Sequence, residues 1–159
     1  MTASVIFDSS VLVAGLVAAH PSHAIVKPWL VAASVGRIVG AVSTHALAET
    51  WSVLTRLPMG TPITGDAAKR AIDRLRDHLR VLPLVEMDYD AALSRCAERG
   101  LRSGAVFDAL HLIAAERARA DAVVTLNGAD FRRLQEVGFS PEVVVPPDDG
   151  RFAAAILSG

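Results

Sequence analysis

Short apolar runs alternate with longer stretches of helical periodicity along this chain. Val5-Ile6-Phe7 is a continuous apolar run that stops at Asp8, and it predicts a buried strand. Ser9 and Ser10 then offer N-caps for a helix over Val11–Ala19. His20-Pro21-Ser22 breaks it, because Pro disfavours helix in the residue before it. A second helix fits from about His23 to Ser34, with Gly36 as its stop, and Ile38–Val42 is the next strand. Ser43 or Thr44 caps a helix to about Leu57, and the Pro/Gly-rich stretch Pro58–Pro62 is a loop. Asp66 opens a helix to about Leu79, with Lys69, Arg70, Arg74, Arg76 and Arg80 mostly in solvent. Val81–Val85 reads as a strand, and Pro83 within it points to a sheet edge. Asp88 caps a helix to Arg99, which Gly100 ends. A helix over about Val106–Arg119, a strand Ala122–Thr125, a helix Ala129–Val137 ended by Gly138, and a strand Val143–Val145 complete the series. Pro146–Gly150 is a loop, and the Ala-rich tail after it is weakly patterned.

Strands alternating with helices predict an α/β sandwich with a mostly parallel sheet. In such folds the ligand lies beyond the carboxyl ends of the strands, where strand order reverses. The residues directly after each strand therefore carry the functional information.

Composition narrows the class. The chain has 159 residues, one domain's worth, and its 52% hydrophobic and 21% charged residues exclude a disordered tail. Only 5% is aromatic, so Ala, Val, Leu and Ile must build the core. Sixteen basic residues against 17 acidic ones give a net charge of −1, which argues against a strongly basic nucleic-acid wrapper. The single Cys96 allows neither an internal disulfide nor a thiolate zinc site, and it reads as a packing residue. The apolar stretch Val11–Ala19 falls far short of the roughly 20 residues a membrane span needs. It also lacks the basic start of a signal peptide, so a cytoplasmic protein with no membrane segment is expected. A mean hydropathy of +0.37 is high, and it predicts apolar surface covered by a partner or by a second copy in a homodimer.

Three acids stand where packing alone does not call for them. Asp8 follows the first strand, and two serines beside it can cap the next helix in its place. Glu49 lies inside the apolar segment Ala46–Leu54, on a narrow polar stripe with His45 and Ser52. Asp108 sits in Gly104–Ala115, where burial of a carboxylate is costly without a cation, although the helix dipole helps a little. A fourth region, Thr125-Leu126-Asn127-Gly128-Ala129-Asp130-Phe131, ends a strand and starts a helix; Asp130 reads equally as a functional acid or an N-cap. Carboxylates gathered in one pocket repel unless a cation joins them. Oxygen ligands without Cys suit Mg²⁺ or Mn²⁺, which can activate water and stabilise the leaving oxygen of a phosphodiester.

These pieces resemble a known family. Val5-Ile6-Phe7-Asp8-Ser9-Ser10-Val11-Leu12, Glu49 in its helix, Phe107-Asp108-Ala109-Leu110-His111-Leu112, and Val123 to Phe131 are similar, in order and spacing, to the PIN-domain ribonucleases. Within them the VapC toxins of bacterial type II toxin–antitoxin systems are nearest in pattern. The resemblance spans about residues 4–145, leaving 146–159 as a tail of one PIN-like domain. It implies a three-layer α/β/α sandwich with about five strands, Mg²⁺- or Mn²⁺-dependent endoribonuclease activity with metal-activated water, and inhibition by a VapB-like antitoxin. It places Asp8, Glu49 and Asp108 on the family's metal-binding acids, Ser10 on the small polar residue beside the first of them, and Thr125 on the Thr near the fourth. Many PIN domains carry Asp at the position of Asn127. Asp130 is then the remaining acid there, and either residue can complete the site.

His45 and Glu49, four apart, can share a helix face, but the two-His pattern of zinc hydrolases around a Glu is absent. His111 can orient Asp108 or be a hydrogen-bonded core residue. Trp29 and Trp51 can stack on bases, but helices this apolar favour core positions for both. The basic face from Lys69 to Arg80 is solvated or contacts phosphates. A receiver-like signalling domain needs a paired acid after the first strand and a late Lys, whereas Ser9 and Ser10 follow Asp8 and the lysines are Lys27 and Lys69. A non-catalytic protein-binding module with a PIN-like fold has no need of acids at all three core positions.

Overall fold

The computed structural model describes residues 1–158. The first half of the chain forms β1 (Ser4–Phe7), α1 (Ser9–Leu16), α2 (His23–Ser34), β2 (Val39–Ser43), α3 (Thr44–Arg56) and α4 (Gly65–Arg76). The second half adds β3 (Arg80–Leu82), α5 (Glu86–Glu98), α6 (Ala105–Arg117), β4 (Ala122–Val124), α7 (Gly128–Leu134) and β5 (Glu142–Val144). A 3-10 turn (Gly150–Phe152) then leads into α8 (Ala153–Leu157).

The five strands form one sheet in the order β3-β2-β1-β4-β5, and every neighbouring pair is parallel. Alternate side chains of each strand enter opposite cores. Val5 and Phe7 of β1 join Val42, Ala122 and Val124 under α1, α2 and α8. Ile6 joins Ala41 and Val123 under α5, α6 and α7. Burial on both faces explains why the strands read as unbroken apolar runs. A smaller cluster of Val13, Val17, Leu54 and Ala68 ties α1 to α3 and α4. The expected three-layer α/β/α sandwich with a parallel sheet is the observed fold.

This strand order decides where a site can lie. The chain builds outward from β1 to β2 and β3, then crosses back to β4 and β5 on the other side. The order reverses between β1 and β4, so the crevice opens at their carboxyl ends. Asp8 and Thr125 are the next residues after those two strands.

Several local expectations change. Asp8, not Ser9 or Ser10, caps α1: its side chain accepts the Val11 N–H, and both serines lie within the helix. Of the two candidates for α3, Ser43 is the cap. Asp88 does not begin α5; it stands one turn in and reaches back to the Val85 N–H. β3 is an edge strand, as Pro83 suggests, but it ends at Leu82 before the proline. Helices α2 and α5 stop at Gly36 and Gly100, whose φ of +75° and +64° suit glycine. Helix α7 stops at Leu134, short of Val137, because Gln135 turns extended and its amide donates to the Pro141 carbonyl. The tail is helical and buries Phe152 and Ile156 beside Trp29, whose indole N–H donates to Asp149 at 2.7 Å. Trp29 is core as expected; Trp51 is 44% exposed, and its indole N–H donates to the Gly65 carbonyl at the start of α4. Cys96 is a buried packing residue.

Candidate active site

Asp8 is the centre of the crevice. Its position after β1 and its role as α1 cap bury it to 2% exposure. Both carboxylate oxygens are engaged. Oδ1 accepts from the Ser10 hydroxyl at 2.6 Å and the Val11 N–H at 3.2 Å, and Oδ2 accepts from the Thr125 hydroxyl at 2.8 Å. Those hydroxyls are fixed in turn: Ser10 Oγ accepts the Leu126 N–H and Thr125 Oγ1 accepts the Asn127 N–H. The β4–α7 loop therefore orients Asp8 from across the strand reversal. Burial pushes the Asp8 carboxyl above its ordinary value, while His111 and these hydrogen bonds pull against it.

Asp108, in the first turn of α6, is half-buried and has no hydrogen-bond or ion-pair partner among the described residues. Burial pushes its carboxyl up to about 7, with Asp8, Glu49 and Asp130 adding repulsion and His111 opposing it. Asp8 and Asp108 thus lie close enough to repel one another, an arrangement whose electrostatics call for a cation.

Glu49 is held differently. The Ser9 hydroxyl donates to its Oε1, while His111 Nε2 lies 3.5 Å from Oε1 and His45 Nε2 lies 3.4 Å from Oε2. Burial raises its carboxyl, but the nearby His111 and His45 rings and the Ser9 hydroxyl together hold it well below the usual carboxylate range. His111 orients Glu49, not Asp108, and its Nδ1 contacts Ser43 Oγ at 2.9 Å. The Phe107 ring stacks on His45 with centroids 4.7 Å apart.

Asp130 and Asn127 line one cavity of about 370 Å³ with Asp108, Arg102 and Arg133. Asn127 is the residue that caps α7, so the N-cap reading of Asp130 fails; the Asp130 carboxylate instead pairs with Arg133 on the same helix. A second cavity of about 360 Å³ runs past Ser9, Ser10 and Asn127, and a third of about 410 Å³ past His45, Glu49, Arg56 and Phe107. Asp108 and Asp130 line the first and Glu49 the third, while the second carries no acid of its own.

The donors fit a hard divalent ion, since the unpaired group is a carboxylate repelled by its neighbours. No three His, Cys, Asp or Glu side chains among the described residues are already spaced as a ligand shell. Mg²⁺ tolerates this, because it binds through one or two carboxylates and keeps water or phosphate oxygens elsewhere.

Comparison with known proteins agrees with this layout. A model of the PIN domain matches residues 5–137. The chain is also 36% identical over 115 residues to Ribonuclease VapC27 of Mycobacterium tuberculosis, spanning 72% of this chain and 78% of that protein. The chain belongs to the PIN-domain family, in its VapC branch. Solved VapC structures share the fold. Mycobacterium tuberculosis VapC20, a sarcin–ricin loop cleaving toxin, superposes with a TM-score of 0.65 at 24% identity, covering 86% of this chain and 99% of that one. The VapBC2 complex of Rickettsia felis, bound to a DNA fragment from its promoter, gives 0.63 at 16% identity over 89% and 98%.

Within this VapC architecture the acids Asp8, Glu49 and Asp108 come together, and Ser10 and Thr125 support the first of them. The sequence gives no sign that Ser9 reaches Glu49, and of the two readings open for His111 the hydrogen-bonded core residue is the observed one. Ser9 is the first residue of α1, one step past the Asp8 cap, and the turn of the chain there sends its hydroxyl to Glu49 on α3. The four-residue spacing of His45 and Glu49 is the signal that was available.

Proposed function

We propose that this chain is an endoribonuclease acting as the toxin of a toxin–antitoxin pair, with cleavage dependent on Mg²⁺ or Mn²⁺. The observation that carries this reading is the mutual repulsion of Asp8 and Asp108 beside the strand reversal of a PIN fold, with no ion pair to Asp108 among the described residues. Asp8 and Asp108 would hold the ion, with Glu49 as a further ligand or as the group that orients the attacking water. When bound, the ion supplies positive charge at the phosphodiester and acidifies water for attack. Ser10 and Thr125 would hold Asp8 in one rotamer. Asp130 and Asn127 border the same cavity, and Arg102 and Arg133 offer contacts to phosphates flanking the cut.

A VapB-like antitoxin is the natural partner, since VapC relatives are solved in VapBC complexes. Its basic side chain near the acids would replace part of the ion's charge. A homodimer fits the exposed Met87, Tyr89 and Leu93 of α5, at 80%, 41% and 59% exposure. The site of action proposed is the cytoplasm, where RNA is met; no helix among the described residues is long and apolar enough to cross a membrane.

The direct test is hydrolysis of structured and single-stranded RNA with and without Mn²⁺. Cleavage by wild type should vanish with chelator. It should fall at least about a hundredfold in Asp8→Asn or Asp108→Asn, each of which keeps size but removes charge. Full activity in Asp8→Asn would refute the mechanism.

A further inference from the structure

Two buried imidazole nitrogens, His45 Nε2 and His111 Nε2, find no close hydrogen-bond partner among the described residues. Both are aimed at the same carboxylate, at 3.4 and 3.5 Å. They approach it from different elements, since His45 shares α3 with Glu49 and His111 comes from α6. Leaving a buried N–H unmade is costly, so two such groups converging on one acid mark a built arrangement.

The far end of His111 fixes its tautomer. Ser43 is fully buried, and its Oγ accepts the Ala46 N–H at 3.1 Å as the α3 cap. The one other partner of that hydroxyl among the described residues is His111 Nδ1 at 2.9 Å. The Ser43 proton therefore goes to Nδ1, which must be bare, and the ring proton sits on Nε2, facing Glu49. A carboxylate offers about four lone-pair sites. Ser9 donates to Oε1, while the His111 and His45 nitrogens stand beside Oε1 and Oε2, just beyond close hydrogen-bond range. One Oε2 site remains for a further donor.

We propose that Ser43, His111 and His45 form a positioning clamp that commits Glu49 to accepting hydrogen bonds, leaving Asp8 and Asp108 as the direct metal ligands. This deepens the ribonuclease reading and rests on it for its role in turnover, though not for the clamp itself. The remaining Oε2 lone pair accepts from the attacking water and orients it. His111 and His45 touch neither substrate nor ion; they act through Glu49.

The first arm of the test uses the wild-type, ¹⁵N-labelled full chain without metal. A long-range ¹H–¹⁵N spectrum of the histidine rings, with His111 assigned by its loss in His111→Gln, should show protonated Nε2 and bare Nδ1. A ring protonated on Nδ1, or on both nitrogens, overturns the clamp whatever the protein's activity. The second arm measures Mn²⁺ binding by calorimetry, with the metal alone. Asp108→Asn should raise Kd at least tenfold more than Glu49→Gln does. Equal losses would make Glu49 a direct ligand and overturn the proposal. The third arm is kinetic. His111→Leu and Ser43→Ala should lower kcat on RNA at least tenfold with KM nearly unchanged, and His111→Gln, which keeps a donor, should recover most of it. Should His111→Leu fail to fold, His45→Gln against His45→Leu on the more open side gives the same comparison. Wild type that binds no Mn²⁺ and cuts no RNA would sink the nuclease reading, while the ring spectrum still decides the clamp.

Discussion

At the scale of single residues, Asp108 sets the protein's response to pH. Its folded-state value of about 7 lies above the ordinary carboxyl value of 3.8, so the folded state binds its proton more tightly than the unfolded chain does. That contribution is fully present below pH 3.8 and is lost as pH rises through about 7. Asp8 is shifted in the same direction. Glu49 runs the other way: its stabilisation is present above 4.5 and is lost as pH falls below. Metal-free Asp108→Asn should therefore melt higher than wild type at pH 8, with the gap shrinking at pH 5. A gap independent of pH would mean that Asp108 is not the strained carboxyl. At Thr125 the prediction is smaller and more specific. Thr125→Val keeps shape but frees Asp8 Oδ2, and it should weaken Mn²⁺ binding about 10–100-fold, as loss of a ligand's orienting hydrogen bond does elsewhere. Unchanged Mn²⁺ affinity by calorimetry would remove Thr125 from the site.

Among the elements, the C-terminal turn and α8 matter more than their sequence suggests. Phe152 and Ile156 are each 3% exposed and pack in the core that also holds Trp29. Phe152→Ala should cost about 3–5 kcal/mol, read by urea denaturation, as for other buried aromatics. A cost below about 1 kcal/mol would show that α8 is a loose appendage. The elements also explain how far the pattern could be read. Strands β1 and β4 were legible because burial on both faces leaves no polar position from Val5 to Phe7 or from Ala122 to Val124. The tail was not, because its Ala-rich pattern has only two large anchors, and their partner Trp29 lies more than a hundred residues away. Trp51 misled for the opposite reason: an aromatic in an apolar helix reads as core, yet its ring lies outside, against Gly65 at the start of α4.

For the whole molecule, metal binding and partner binding should both appear as stability. An ion that joins Asp8 and Asp108 only in the folded chain adds about 2.7 kcal/mol at a hundredfold excess over Kd. For a chain of this length that corresponds to a rise of about 5–10 °C in Tm. A Tm indifferent to millimolar Mn²⁺ would count against the metal site. In bacteria, expression of the chain alone should slow growth, and co-expression with its antitoxin should restore it. Soluble, folded protein that leaves growth untouched would contradict the toxin role.

The sequence by itself determined the strand and helix order, the parallel α/β class and the three acids, because each is written in local pattern: apolar runs, caps, and carboxylates in segments too apolar to solvate them. It also determined the resemblance that the order of those pieces carries. Only the tertiary structure decided what each acid is bonded to. That the Thr125 hydroxyl grips Asp8, that Ser9 reaches Glu49, and that His111 faces Glu49 from another helix depend on strand order and helix rotation. Those are set by long-range packing, in which residues 40 to 117 positions apart meet at hydrogen-bond distance, and no local periodicity records such meetings.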